Sequence, residues 1–168
     1  MRTYKNPILY ADYSDPDVVR VGEDYYMVSS SFTYIPGVPL LHSRDLVHWE
    51  LINHCVKKLP FEKYALPCHG SGTWAPSIRY HEGTFFVFIP LVDEGILVAR
   101  SKDPYGEFEW NMLCESKGWI DPCLSGMMTA GLTWFCLCKE PLRYKTPAVA
   151  GGNRSPVPLP ADRAQAYI

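Results

Sequence analysis

No run of apolar residues in this chain approaches the roughly 18 needed to cross a bilayer as a helix, so no membrane span is expected. The opening residues, Met1-Arg2-Thr3-Tyr4-Lys5-Asn6-Pro7, lack the apolar stretch of a secretory leader. Charge is sparse: 20% of the residues are charged and the net charge is −2, with no Lys/Arg run that would follow a phosphate backbone. Neither nucleic acid nor a membrane is therefore expected as a partner. Metal-ligand spacing is also missing. Cys55, Cys68, Cys114, Cys123, Cys136 and Cys138 form no paired C-x-x-C pattern, and His42, His48, His54, His69 and His81 show no H-x-x-x-H spacing. No metal and no cofactor is expected. Without a leader, the six cysteines read as reduced thiols of a cytoplasmic protein. Long helical periodicity is hard to find, which argues against an α-helical domain.

What the chain does have is apolar residues (47%) and aromatic ones (14%, with eleven Tyr and five Trp), a composition that suits strands. Short β-type runs at residues 18–21, 25–32, 40–43 and 49–56 are divided by turn signals at Gly22-Glu23-Asp24, Pro36-Gly37 and Arg44-Asp45. A second set follows at 75–80, 84–91, 96–101 and 108–115. Two segments echo each other across the sets. Asp15-Pro16-Asp17-Val18 matches Ala75-Pro76-Ser77-Ile78, and His42-Ser43-Arg44-Asp45 matches Arg100-Ser101-Lys102-Asp103. A third copy starts at Ile120-Asp121-Pro122-Cys123. A four-strand unit repeated at this period predicts β-propeller blades, whereas a sandwich would not echo itself in this way. In a propeller the first strand of each blade lines the central channel. Asp15 and Asp121 hold the same place in their repeats, so the repeat predicts that both carboxylates reach one pocket.

Spacing alone does not choose among Asp12, Asp15 and Asp17. Trp49, at the start of a strand, reads as core, and Arg79 as a surface strand residue. The histidines read as structural, except that His69, in the loop Cys68-His69-Gly70-Ser71-Gly72 before Trp74, is a candidate for lining the pocket.

An ordered set of segments carries a resemblance. It runs from Asn6-Pro7-Ile8-Leu9 through Ser14-Asp15-Pro16-Asp17-Val18 and Gly22-Glu23-Asp24-Tyr25-Tyr26 to Ser30-Ser31-Phe32 and Pro36-Gly37-Val38. It continues through His42-Ser43-Arg44-Asp45-Leu46-Val47-His48-Trp49 and Thr73-Trp74-Ala75-Pro76-Ser77-Ile78-Arg79-Tyr80 to Gly118-Trp119-Ile120-Asp121-Pro122. Over residues 6–123 the chain resembles glycoside hydrolase family 43, the five-bladed β-propeller family of β-xylosidases and α-L-arabinofuranosidases, and most of all its β-xylosidase-type branch. The resemblance implies an all-β fold, here about two blades and the start of a third. It implies an inverting hydrolase acting on xylo- or arabino-oligosaccharides. Asp15 would be the general base, and Asp121 the aspartate that orients the general acid and tunes its pKa. Phe32 and Trp74 would lie at the sugar-binding subsite. Such chemistry needs an ionised carboxylate on one face of the sugar and a protonated carboxylic acid roughly 6.5–9.5 Å away on the other, leaving room for water. A third carboxylate near the acid raises its pKa by like-charge repulsion. The family's acid is a glutamate in a later blade, within a Glu-Gly-Pro segment that this sequence does not contain; Glu140-Pro141 is no match. A non-catalytic carbohydrate-binding or scaffold propeller is the alternative. Xylose against arabinose, and the oligomeric state, stay open.

The blade pattern is expected to end at Cys123. Residues 124–168 read as a tail foreign to the family, rich in Pro, Gly, Arg and Ala, with a coil-like Pro156-Val157-Pro158-Leu159-Pro160 stretch. As a test of compatibility, codons can be chosen for Cys123 to Trp134 such that one extra base after a TGC codon for Cys123 gives Cys-Pro-Phe-Trp-Asp-Asp-Asp-Gly-Arg-Ala-Tyr-Leu, a blade start of the expected kind. Part of this is forced: Met127 and Met128 have only the codon ATG, so the shifted frame must read two Asp codons across Met127, Met128 and Thr129. The reading is a frameshifted tail, poorly ordered, on a ring that does not close, with marginal stability as the consequence. Resequencing the encoding DNA is expected to show the frame break just after Cys123. A continuous frame confirmed in the DNA, with this tail present in the purified protein, would overturn it.

Overall fold

The computed structural model describes residues 3–115, 117–127 and 131–138. Turn residues cut the chain into strands that pair with their immediate neighbours. The first sheet contains β1 (Asp17–Val21), β2 (Asp24–Val28), β3 (Gly37–Ser43) and β4 (Glu50–Val56), in that order and antiparallel throughout. The second repeats it with β5 (Ser77–His81), β6 (Thr84–Leu91), β7 (Gly95–Ser101) and β8 (Glu109–Glu115). A third pair, β9 (Trp119–Met127) and β10 (Gly131–Cys138), follows. A 3-10 turn at Glu62–Tyr64 lies between the first two sheets. The first strands are neighbours in space, β1 beside β5 and β5 beside β9, which is the inner ring of a propeller.

The hairpins form for local reasons. The β1–β2 and β5–β6 loops have two residues each, with positive φ at Gly22 in one and at Glu82 and Gly83 in the other, as tight hairpins require. The echoed Ser-x-Asp segments are side-chain-capped turns. In the first sheet, Asp45 Oδ1 accepts from the backbone N–H of Val47 (2.9 Å) and His48 (2.8 Å), while Ser43 Oγ accepts from Leu46 N (3.0 Å). In the second, Asp103 Oδ1 accepts from Tyr105 N (2.9 Å) and Ser101 Oγ from Asp103 N (3.2 Å). That repeated motif is therefore structural.

Burial explains the strand patterns. β6 reads as a continuous apolar run because both its faces are covered. Phe85, Val87, Ile89 and Leu91 pack against Tyr26, Val28, Val38 and Leu40 of the first sheet. Phe88 joins Ile96 and Val98 on the opposite face, where Trp119 packs. Phe85 meets Tyr26 edge to face, with ring centroids 4.8 Å apart. By contrast β1, at the start of its sheet, alternates half-buried and exposed residues.

Several sequence expectations are sharpened or corrected. Residues 84–91 coincide with β6. The expected strand at 25–32 ends at Val28, because Ser30 and Ser31 leave the ladder to bond elsewhere: Ser30 N–H donates to Ser14 O (3.0 Å) and Ser31 pairs with Thr73. Gly37 opens β3 instead of completing a turn, at a place where Thr73 leaves no room for a Cβ. Trp49 is half-buried rather than core, and its indole N–H donates to Leu46 O (3.1 Å). Strand pairing also continues past Cys123, through β9 and β10 to Cys138, where the sequence reading expected strand character to stop. The side chains of that stretch, residues 139–168 and the Pro156-to-Pro160 run lie outside the described residues.

Candidate active site

Asp15 sits just before β1 with φ 51°, in the left-handed region that L-residues visit rarely and that Asp tolerates better than most. Ser30 bonds to this turn twice. The same residue that bonds through its backbone to Ser14 donates its Oγ–H to Asp15 Oδ2 at 2.8 Å. Ser30 is buried and Asp15 exposed. Among the described residues, the other oxygen, Oδ1, accepts no hydrogen bond.

Asp121 has φ 52°, the same unusual conformation 106 residues later. It lies within β9 rather than before it, where the pairing with β10 shifts register between Phe135 and Leu137. Such an irregularity re-aims a side chain out of the ladder. The Asp121 carboxyl is held above the usual aspartate range, first by partial loss of hydration and second by the negative charge of Asp15. The second cause is the Asp15 charge acting on the Asp121 carboxyl.

The aromatic pair is built by an inter-sheet stitch. Ser31 and Thr73 exchange two backbone hydrogen bonds, of 2.9 and 2.8 Å, bridging the first sheet to the approach to the second. Each is followed by an aromatic residue, and Phe32 and Trp74 meet edge to face with centroids 5.1 Å apart. Both are half-buried. The Trp74 indole N–H donates to Gly70 O (3.1 Å), and Cys68 N–H donates to Thr33 O (2.8 Å), so the 68–72 loop is tied to this pair. Gly72 must be glycine, since a Cβ there would collide with the carbonyl of Ser31. His69 is exposed on that loop and, among the described residues, makes no hydrogen bond to Asp15. Ser30 and Phe32 are two residues apart, so the Asp15 anchor and the aromatic wall belong to one short segment.

Arg79 corrects the surface reading. Its Nη1 lies 2.6 Å from Asp17 Oδ2, and the same oxygen accepts from Ile78 N–H (2.9 Å). Asp17 thus clamps β1 to β5 two residues after Asp15. Sequence reasoning missed the supporting parts, Asp17, Arg79 and Ser30. A position-by-position comparison at the repeat offset was the available signal, since Asp17 corresponds to Ser77 and Ser30 to Pro90. Among the described residues no group of His, Cys, Asp or Glu could hold a metal ion.

The sequence model described as Glycosyl hydrolases family 43 matches residues 4–151, and the chain belongs to that family. The match continues beyond Cys123. Over 129 residues (73% of the chain, 24% of the relative) it is 36% identical to the Non-reducing end alpha-L-arabinofuranosidase BoGH43B of Bacteroides ovatus. Over 130 residues (73% and 22%) it is 38% identical to a Beta-xylosidase of Formosa agariphila. Among solved structures, the Bacteroides ovatus Xyloglucan PUL GH43B superposes with a TM-score of 0.69 at 32% identity, covering 83% of this chain and 28% of that one. The GH43 BlXynB protein from Bacillus licheniformis gives 0.65 at 30%, covering 86% and 32%. The chain spans about a quarter of the length of these curated relatives.

The raised pKa of Asp121 has a consequence for stability. A carboxyl whose folded pKa lies above its unfolded value favours the fold while protonated, and that contribution is lost as pH rises through the folded pKa. Asp121→Asn, which cannot ionise, is expected to be more stable than the parent at pH 7, with the gain shrinking as pH falls from the raised folded value to the ordinary aspartate value and absent below it. Urea unfolding midpoints across that range check this; a difference independent of pH contradicts it.

Proposed function

We propose that this chain carries the base side of an inverting glycosidase acting on xylo- or arabino-oligosaccharides. The observation that carries the reading is the shared left-handed backbone of Asp15 and Asp121 at corresponding places in their repeats, with the Asp15 charge among the causes that raise Asp121. The names of the relatives, an α-L-arabinofuranosidase and a β-xylosidase, supply the substrate class. Asp15, with one oxygen anchored by Ser30 and the other open, takes a proton from the attacking water. The Phe32–Trp74 wall offers aromatic surface to a sugar ring, with His69 on the adjoining loop. To Asp121 the proposal gives the task of raising the pKa of a neighbouring general acid by its negative charge and orienting it. That acid is proposed to lie outside these 168 residues, since the chain has no Glu-Gly-Pro segment. A reducing, cytoplasmic setting belongs to the same proposal; Cys55, Cys68 and Cys123 are thiols.

The absence of that segment also favours a second reading for this polypeptide, a propeller fragment that binds carbohydrate without cleaving it. Hydrolysis of 4-nitrophenyl β-xyloside and 4-nitrophenyl α-L-arabinofuranoside separates the two. The assay is run on the 168-residue chain and on a version that carries the alternative frame proposed to follow Cys123, continued to its natural stop. Turnover is expected in the alternative-frame protein, with a loss on Asp15→Asn of ~10²–10⁴-fold, the usual worth of a general base. Turnover that survives Asp15→Asn unchanged overturns the assignment. Sugar binding without turnover in the alternative-frame protein supports the second reading.

A further inference from the structure

The chain contains its own comparison for the Asp15 site. At the 60-residue offset between the first two repeats, Asp15 corresponds to Ala75, Ser14 to Trp74 and Ser30 to Pro90. The register confirms the offset: Asp17 pairs with Val28 and Ser77 with Phe88. In both repeats a backbone hydrogen bond links the residue before the Asp15/Ala75 position to the Ser30/Pro90 position. In the first, Ser30 N–H donates to Ser14 O (3.0 Å); in the second, Trp74 N–H donates to Pro90 O (3.1 Å), as it must because Pro90 has no N–H. The backbone link therefore survives without a serine. What disappears in the second repeat is the side-chain pair, and it disappears whole: carboxylate and hydroxyl are both gone. In the second repeat the hydroxyl is thus absent where the carboxylate it would serve is absent.

From this we infer that Ser30 is the positioning residue of the Asp15 carboxylate, an inference that rests on the base role proposed for Asp15. Its buried hydroxyl, 5% exposed, donates to Oδ2 at 2.8 Å and holds an otherwise exposed side chain in one rotamer. The constraint matters because the backbone is already committed to a left-handed φ at Asp15, which fixes where Cβ starts but not where the carboxylate ends. A hydroxyl bonded to one oxygen selects the torsions and leaves Oδ1 for water. Orientation of this kind is a large part of what a general base contributes, since a displacement of about 1 Å can cost ~10²-fold in rate.

The test reads the Asp15 side chain directly, in the 168-residue chain, without requiring turnover. Three-bond N–Cγ and C′–Cγ couplings of Asp15, assigned with Asp15→Asn, report its χ1 populations. In the parent one rotamer is expected. Ser30→Ala is expected to give couplings averaged over several rotamers, and Ser30→Thr, which keeps the hydroxyl, to restore the single one. Ser29→Ala is the matched control: Ser29 is also buried, and its hydroxyl faces Ser30 O at 3.4 Å, so it removes a buried oxygen without touching Asp15. It is expected to leave the Asp15 couplings unchanged. A single Asp15 rotamer in a folded Ser30→Ala variant overturns the inference. So does averaging that appears equally in Ser29→Ala, which would mark general loosening of the segment. If Ser30→Ala does not fold, averaged couplings in a folded Ser30→Thr overturn the inference, and a single rotamer there supports it. A failed glycosidase assay leaves these outcomes intact, so the two readings fail separately.

Discussion

The structure depends on how the first strands of successive sheets are stitched side by side. Two contacts do this, one between β1 and β5 and one between the residues that follow β2 and those that precede β5. Asp17 Oδ2 accepts from the backbone of Ile78 and from Arg79, and Ser31 exchanges two backbone hydrogen bonds with Thr73. Hydrogen bonds to a charged acceptor are worth about 1.5–3 kcal/mol each when well made, enough to hold the inner strands in register. The broad apolar interface of Tyr26, Val28, Phe85 and Val87 supplies most of the adhesion but is not directional. The polar stitches decide which residues face each other, and they lie beside the candidate active site.

That placement joins fold to chemistry. Asp15 is two residues from the Asp17 clamp. Phe32 and Trp74 each follow one partner of the Ser31–Thr73 bridge. The aromatic pair and Asp15 are thus set by neighbouring residues of the same two connections, and Gly72 permits the close approach on which one of them depends. The two aspartates sit in a backbone conformation that costs of order 1–3 kcal/mol outside glycine, less for Asp than for bulkier residues. Its recurrence at Asp15 and Asp121, and not at Ala75 between them, shows that it accompanies the carboxylate rather than the blade.

Much of this was legible in the sequence because a propeller writes its architecture as a repeat. Gly22, Gly83 and the Ser-x-Asp turns mark the strand boundaries, and β6 matches its apolar run residue for residue. The equivalence of Asp15 and Asp121 followed from the same repeat. Other features were not legible, for physical reasons. Ser29-Ser30-Ser31 continues an alternating run, and only the competing partners Ser14 and Thr73 take it out of the ladder. Arg79 looks like any polar strand residue until Asp17 is placed opposite it. Strand pairing past Cys123 was missed because residues 124–138 lack clear alternation, and pairing to an adjacent strand does not require it.

The central claim is that the repeat brings Asp15 and Asp121 into one electrostatic environment. Titration of the Asp121 carboxyl by carbon-13 NMR, in the parent chain and in Asp15→Asn, tests it most directly. The account expects a parent midpoint above the ordinary aspartate value. Removing the charge at position 15 should move it down, though not fully to the ordinary value, because partial burial is the larger cause and remains. An Asp121 midpoint that does not move when Asp15 loses its charge would contradict the account.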